Sequence, residues 1–300
     1  MAGAAEVPLA AEIAAGRRRR RAAFLRRLFG HGSFLIGFVI MALFVAIALA
    51  APLIAPHSPI ASDYRNLNAP PSALHWLGTD AFGRDVLSRI IYGMRVSLRI
   101  GIAVVLVTGL FGTVLGVLAS YVRWLDGLVM RMLDGLMAFP GVLLAIALAA
   151  VLGPSEANAV LALSITFTPR TARVVRAGVL VVQGMPYVEA ARAIGAGHGR
   201  IILRYILANA LSPLIVQLTY VFAVSVVAEA ILSFLGVGPP PPAPTLGNII
   251  AEGRSSVQET WWLVTFPGMV IAVAVLGLNL MGDGLRDVLD PRQIARREGN

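Results

Sequence analysis

Five uncharged, apolar runs recur along the chain, at 33–54, 100–120, 135–155, 205–228 and 260–282. Each has about the 20 residues that a helix needs to cross a hydrocarbon core of roughly 30 Å. Residues 157–169 are also uncharged but too short to span alone. They run on into Arg170, Arg173 and Arg176, spaced three apart and so on one helix face. Arginine stems near a helix end reach to the membrane interface, and 157–178 reads as a weaker fourth span that ends in the cytoplasm. The pattern predicts an all-α, polytopic membrane protein with six transmembrane helices.

Composition sharpens this picture. Of 300 residues, 57% are hydrophobic and 14% charged, where a soluble domain carries about 25% charge. An ordinary cytosolic enzyme, a disordered chain and a nucleic-acid module are excluded. The net charge of +9 reads as positive-inside topology and contact with anionic lipid, not as nucleic-acid binding. Before the first span lie Arg17, Arg18, Arg19, Arg20, Arg21, Arg26 and Arg27, the basic face of an interfacial segment. They place the N-terminus in the cytoplasm. The following apolar run is too long for a cleavable signal peptide. Six spans return the C-terminus, with Arg286, Arg292, Arg296 and Arg297, to the same side. Residues 56–97 fall outside, although they hold Arg65, Arg84, Arg89 and Arg95, with Asp63, Asp80 and Asp85 among them. The N-terminal cluster outweighs these arginines. Gly78-Thr79-Asp80 and Gly83-Arg84-Asp85 suggest compact turns that either shape an external entry surface or, the favoured reading, are braced by Arg–Asp pairs.

Two absences bear on chemistry. There is no cysteine and no lysine. Disulfides and thiolate sites are excluded, and so is a P-loop, whose lysine reaches the β/γ-phosphates. Any ATP that powers this protein is bound by another chain. His31, His57, His75 and His198 form no pair at helical metal spacing, so no metal ligands and no catalytic residues are assigned.

The stretch 183–213 differs from a plain connector. Pro186 opens a helix, Glu189 sits in its first turns where a carboxylate suits the dipole, and Gly195-Ala196-Gly197 ends it. A second helix from about Gly199 leads into the next span. A short exposed helix of this kind fits a groove on a soluble partner. Glu189-Ala190-Ala191, three residues, Gly195, nine residues and Tyr205-Ile206-Leu207-Ala208 resemble the EAA loop of bacterial ABC importer permeases, with Tyr205 in place of the usual Ile and Ala208 in place of the usual Pro. Residues 75–101, 228–238, 247–254 and 261–292 are similar to blocks of the C-type permease of dipeptide and oligopeptide importers, with Leu246 where a Trp is common.

The resemblance implies a type I ABC importer permease fold. It implies an N-terminal basic segment 1–32, a six-span permease domain 33–285 with external region 56–97 and cytoplasmic coupling loop 183–210, and a tail 286–300. It implies a transport subunit of the bacterial cytoplasmic membrane, not an enzyme, that moves di- or oligopeptides by alternating access. Similar permeases carry nickel chelates, glutathione or oligosaccharides, and these remain alternatives, as does a channel or scaffold. The implied partners are a second homologous permease, two ATPase subunits that hold ATP and Mg, an extracytoplasmic solute-binding protein and lipid. This chain would hold no cofactor. Glu189, Ala190, Ala191 and Gly195 are the candidate ATPase-coupling residues. Glu229 and Asn279, polar groups in spans five and six, are candidates for the substrate path or for interhelical hydrogen bonds. Gly112 and Gly116 form a small-residue packing face.

Overall fold

The computed structural model describes residues 22–289, together with Gly16 and Arg18. Arg17, Arg19–Arg21 and the tail arginines Arg292, Arg296 and Arg297 lie outside the described residues. The described chain is almost entirely helical, with one isolated bridge between Thr79 and Asp85 and no strands. Its principal helices are α1 (Gly32–Leu49), α2 (Val86–Tyr121), α3 (Arg123–Met137), α4 (Gly141–Leu152), α5 (Glu156–Gln183), α6 (Pro186–Ala193), α7 (Leu207–Phe234), α8 (Leu246–Gly253) and α9 (Trp262–Leu289). His198–Arg200 and a π-helical stretch, Ile201–Ile206, run directly into α7.

The expected count of six spans is corrected. Among the described residues four helices are long and apolar enough to cross a membrane: α1, α2, His198–Phe234 and α9. A fifth span exists if α3 and α4, bent by 89°, count as one. The expected run 135–155 is broken because Pro140 lacks an N–H and pushes Phe139 out of helical conformation; Pro140 caps α4 instead. Helix α5 forms where the fourth span was expected, but it carries Arg170, Arg173 and Arg176 around an interior Pro169. Those arginines do not share a destination. Arg173 pairs with Asp134 and Arg176 with Asp126, both on α3, whereas Arg170 turns to Tyr220 on α7. Helix α2 begins at Val86, well before its apolar run, because Asp85 accepts the Ser88 N–H at 2.8 Å as its N-cap.

Lipid is as apolar as leucine, so close backbone approach must hold such helices together. A Cβ at Gly112 would meet Thr171 and Ala172, and one at Gly116 would meet Ala172 and Val175, so α2 and α5 cross at the predicted small-residue face. Gly37 of α1 meets the backbone of Gly277 and Met281 on α9 in the same way. Leu106, Leu110, Val151, Val273 and Leu276 point outward, as lipid-facing residues do.

Candidate functional site

The loop joining α5 to α7 is built from local signals. Met185 is the N-cap of α6 and Pro186 stands in its first turn. Val188 and Ala191, three apart, are buried. Val188 joins Val175, Val179 and Val182 of α5 with Ile201, Ile206 and Leu214 in one apolar cluster. Glu189 and Ala190 face outward. The end of α6 is a Schellman turn: Gly195 N–H donates to Arg192 O at 2.9 Å and Ala196 N–H to Ala191 O at 3.0 Å. Gly195 has φ +81°, the left-handed conformation that side chains disfavour. Beyond it, His198 Nδ1 lies 3.0 Å from Tyr121 Oη, tying the loop to the end of α2. The loop therefore stands on a buried apolar foot and presents Glu189, Ala190, Gly195 and Ile194, which is 83% exposed. The structure brings Glu189, Ala190 and Gly195 to one exposed element and turns Ala191 inward. Ile194 was missed, because an apolar residue beside a glycine bend carries no sequence signal of exposure.

Glu229 is fully buried in α7. Ser97 of α2 donates to its Oε2 at 2.8 Å and Ser233 to its Oε1 at 2.7 Å. Asn279 is exposed on α9 and lines a groove with Arg170, Gln217, Tyr220, Asp283 and Arg286. The Arg170 guanidinium lies 4.6 Å from the Tyr220 ring centroid. Glu229 does not line that groove.

At the opposite end, the strap of residues 55–85 packs over α2, α8 and α9. Asp80 accepts the N–H groups of Phe82 and Arg84 at 2.8 and 3.0 Å, Arg84 Nε at 2.7 Å, and Arg89. Glu252 of α8 receives both arginines, Arg84 Nη2 at 3.1 Å and Arg89 Nη2 at 2.9 Å. Two buried cations thus meet two carboxylates. Trp262 Nε1 donates to Thr79 O at 3.0 Å. Outside the spans, hydrogen bonds from Arg65 N–H and Asn66 hold the Asp63 carboxyl below its ordinary value of 3.8. The Arg–Asp bracing was legible in the sequence; Glu252, far along the chain, was not. Nor did sequence spacing show that His57, His75 and Asp85 come together beside this network.

The described residues thus form a helical bundle with several apolar spans, a polar groove between helices and an exposed short helix on an anchored loop. The description "binding-protein-dependent transport system inner membrane component" matches residues 109–295. The "N-terminal TM domain of oligopeptide transport permease C" matches residues 21–71. A putative peptide transport system permease protein of Brucella abortus is 48% identical over 267 residues, 89% of this chain and 90% of that one. The dipeptide transport system permease protein DppC of Alkalihalophilus pseudofirmus is 44% identical, covering 86% and 85%. An amino acid ABC transporter crystal structure, 18% identical with a TM-score of 0.54, covers 68% of this chain and 95% of its own and shares the fold. The chain belongs to the family of inner-membrane components of binding-protein-dependent transport systems, and it is a permease subunit of an ABC transporter.

Proposed function

We propose that the chain carries di- or oligopeptides across the bacterial cytoplasmic membrane by alternating access, driven by separate ATPases. The observation that carries this reading is the α6 loop: a short helix with an exposed Glu189–Ala190 face, ended by a left-handed Gly195 and footed on Val188 and Ala191. A rigid, anchored knob transmits motion of a docked partner to α5 and α7 without dissipating it in a mobile connector. ATP closes the ATPases, and the loop follows the arrangement that ATP favours. The peptide cargo is supported by the names of the similar permeases.

In this reading two ATPase subunits hold ATP and Mg, a second homologous permease completes the pore, and a solute-binding protein delivers cargo. This chain has no ATP site of its own, and the absence of the lysine that a P-loop needs supports that. Both termini and the α6 loop face the cytoplasm. The N-terminal arginines, with Arg192, Arg200 and Arg204 in and after the loop, support this orientation. Asn279 belongs to the substrate path with Arg170 and Tyr220, and Glu229 is an interhelical hydrogen-bond acceptor.

The test is coupled transport by the reconstituted complex. Glu189→Lys and Gly195→Asp are expected to leave assembly intact while ATP hydrolysis proceeds without peptide uptake. Normal uptake by both variants would remove the coupling role.

A further inference from the structure

The strap gathers three metal-capable side chains at the start of α2. His75 Nδ1 lies 2.9 Å from Asp85 Oδ1, and His57 Nδ1 lies 3.7 Å from the same oxygen. One donor atom from each of the three falls within 4.8 Å of the others. Tetrahedral zinc holds N and O donors at about 2.0–2.2 Å, which sets neighbouring donors about 3.3 Å apart. The two measured separations lie on either side of that value.

The surrounding chain fixes each ligand. Ser88 N–H and Oγ both donate to Asp85 Oδ2 at 2.8 Å, leaving Oδ1 turned toward the imidazoles. Ser88 Oγ also accepts the His57 N–H at 3.1 Å, pinning that residue to the helix start. His75 N–H donates to Ser72 Oγ at 3.1 Å. The His75 and Asp85 side chains are 7% and 1% exposed, whereas His57 is 37% exposed. One imidazole nitrogen facing the cluster, His57 Nδ1, is buried with no hydrogen-bond partner among the described residues. A buried polar atom left unpaired is costly, and His57 Nδ1 is aimed at an oxygen just beyond hydrogen-bond reach.

We propose that His57, His75 and Asp85 bind one zinc-type divalent ion, with the fourth coordination position open on the exposed side of His57. Two imidazoles and one carboxylate suit borderline transition ions, while Ca²⁺ and Mg²⁺ demand oxygen. Without metal, His75 Nδ1–H donates to Asp85 Oδ1; coordination replaces that bond, with the ring proton then on Nε2. The ion ties the end of the α1 segment and the 72–78 turn to the cap of α2, and so stiffens the external strap.

The experiment uses the full-length chain in detergent with a tag that contains no histidine. Zn²⁺ is titrated against a chromophoric chelator, Co²⁺ absorption is recorded, and melting is followed with and without Zn²⁺. The wild-type chain is expected to take up about one zinc, to melt higher with it, and to show the visible bands of tetrahedral Co²⁺. His57→Ala, at a half-exposed position, should melt like metal-free wild type yet bind zinc about tenfold or more weakly. His75→Gln should also lose binding, and His198→Ala should keep it. No zinc uptake by the wild type, or uptake by His57→Ala and His75→Gln equal to that of the wild type, would overturn the proposal.

Discussion

Replacing Gly195 isolates the geometry of the proposed coupling loop from everything else in the fold. Its φ is +81°, and a Cβ built there has no neighbour within 4 Å. A substitution therefore meets no clash and costs backbone strain alone, about 1–2 kcal/mol for a left-handed L-residue. That is a population shift of about 5–30-fold away from the turn that carries the 2.9 and 3.0 Å hydrogen bonds ending α6. Asn tolerates this conformation best and a β-branched residue worst. The series Gly195→Asn, Gly195→Ala, Gly195→Val should then lower peptide uptake per ATP hydrolysed in that order, with Val reduced about tenfold or more. Complex yield by size exclusion should stay constant, because Val188 and Ala191, which anchor the helix, are untouched. Wild-type uptake by Gly195→Val would refute the reasoning. A fall in complex yield parallel to uptake would move the role of Gly195 from coupling to folding.

Three further perturbations test the scaffold. Asp80→Asn leaves Arg84 and Arg89 short of a buried carboxylate, which should cost about 3–5 kcal/mol and lower the detergent melting temperature well below that of Glu252→Gln, whose carboxylate is partly exposed; equal melting would contradict the buried network. Glu229→Gln keeps an acceptor for Ser97 or Ser233 and should transport with unchanged KM, whereas loss of uptake in a fully assembled complex would place Glu229 on the substrate path. Gly37→Val drives a side chain into the α9 backbone and should abolish folded protein, and a normal yield would mean that α1 and α9 do not cross there.

How much was legible depends on how far apart the interacting residues lie. The α6 loop was readable because each signal is local: Pro186 at the helix start, Glu189 in the first turn, Gly195 at the end. The small-residue face of Gly112 and Gly116 was readable for the same reason. The break at Pro140 was present in the run 135–155 but was outweighed by its uniform apolarity. The early start of α2 was hidden because Arg89 and Ser97 look like loop residues until their partners, Glu252 and Glu229, are known. Those partners lie 163 and 132 residues away, and no periodicity reports a pairing of that range. His57, His75 and Asp85 converge through irregular strap geometry, which spacing rules for helices do not cover.

The central claim, that the α6 loop is the dock for an ATPase, is tested most directly by cross-linking. The chain has no cysteine, so Ile194→Cys, at a side chain 83% exposed, introduces a unique thiol in the loop. Tyr64→Cys, 76% exposed in the strap, places one at the other end. Both variants would be cross-linked in intact cells and the adducts identified by mass spectrometry. The account predicts an ATPase subunit bound at Ile194→Cys and none at Tyr64→Cys. An ATPase captured at Tyr64→Cys and absent from Ile194→Cys would contradict it.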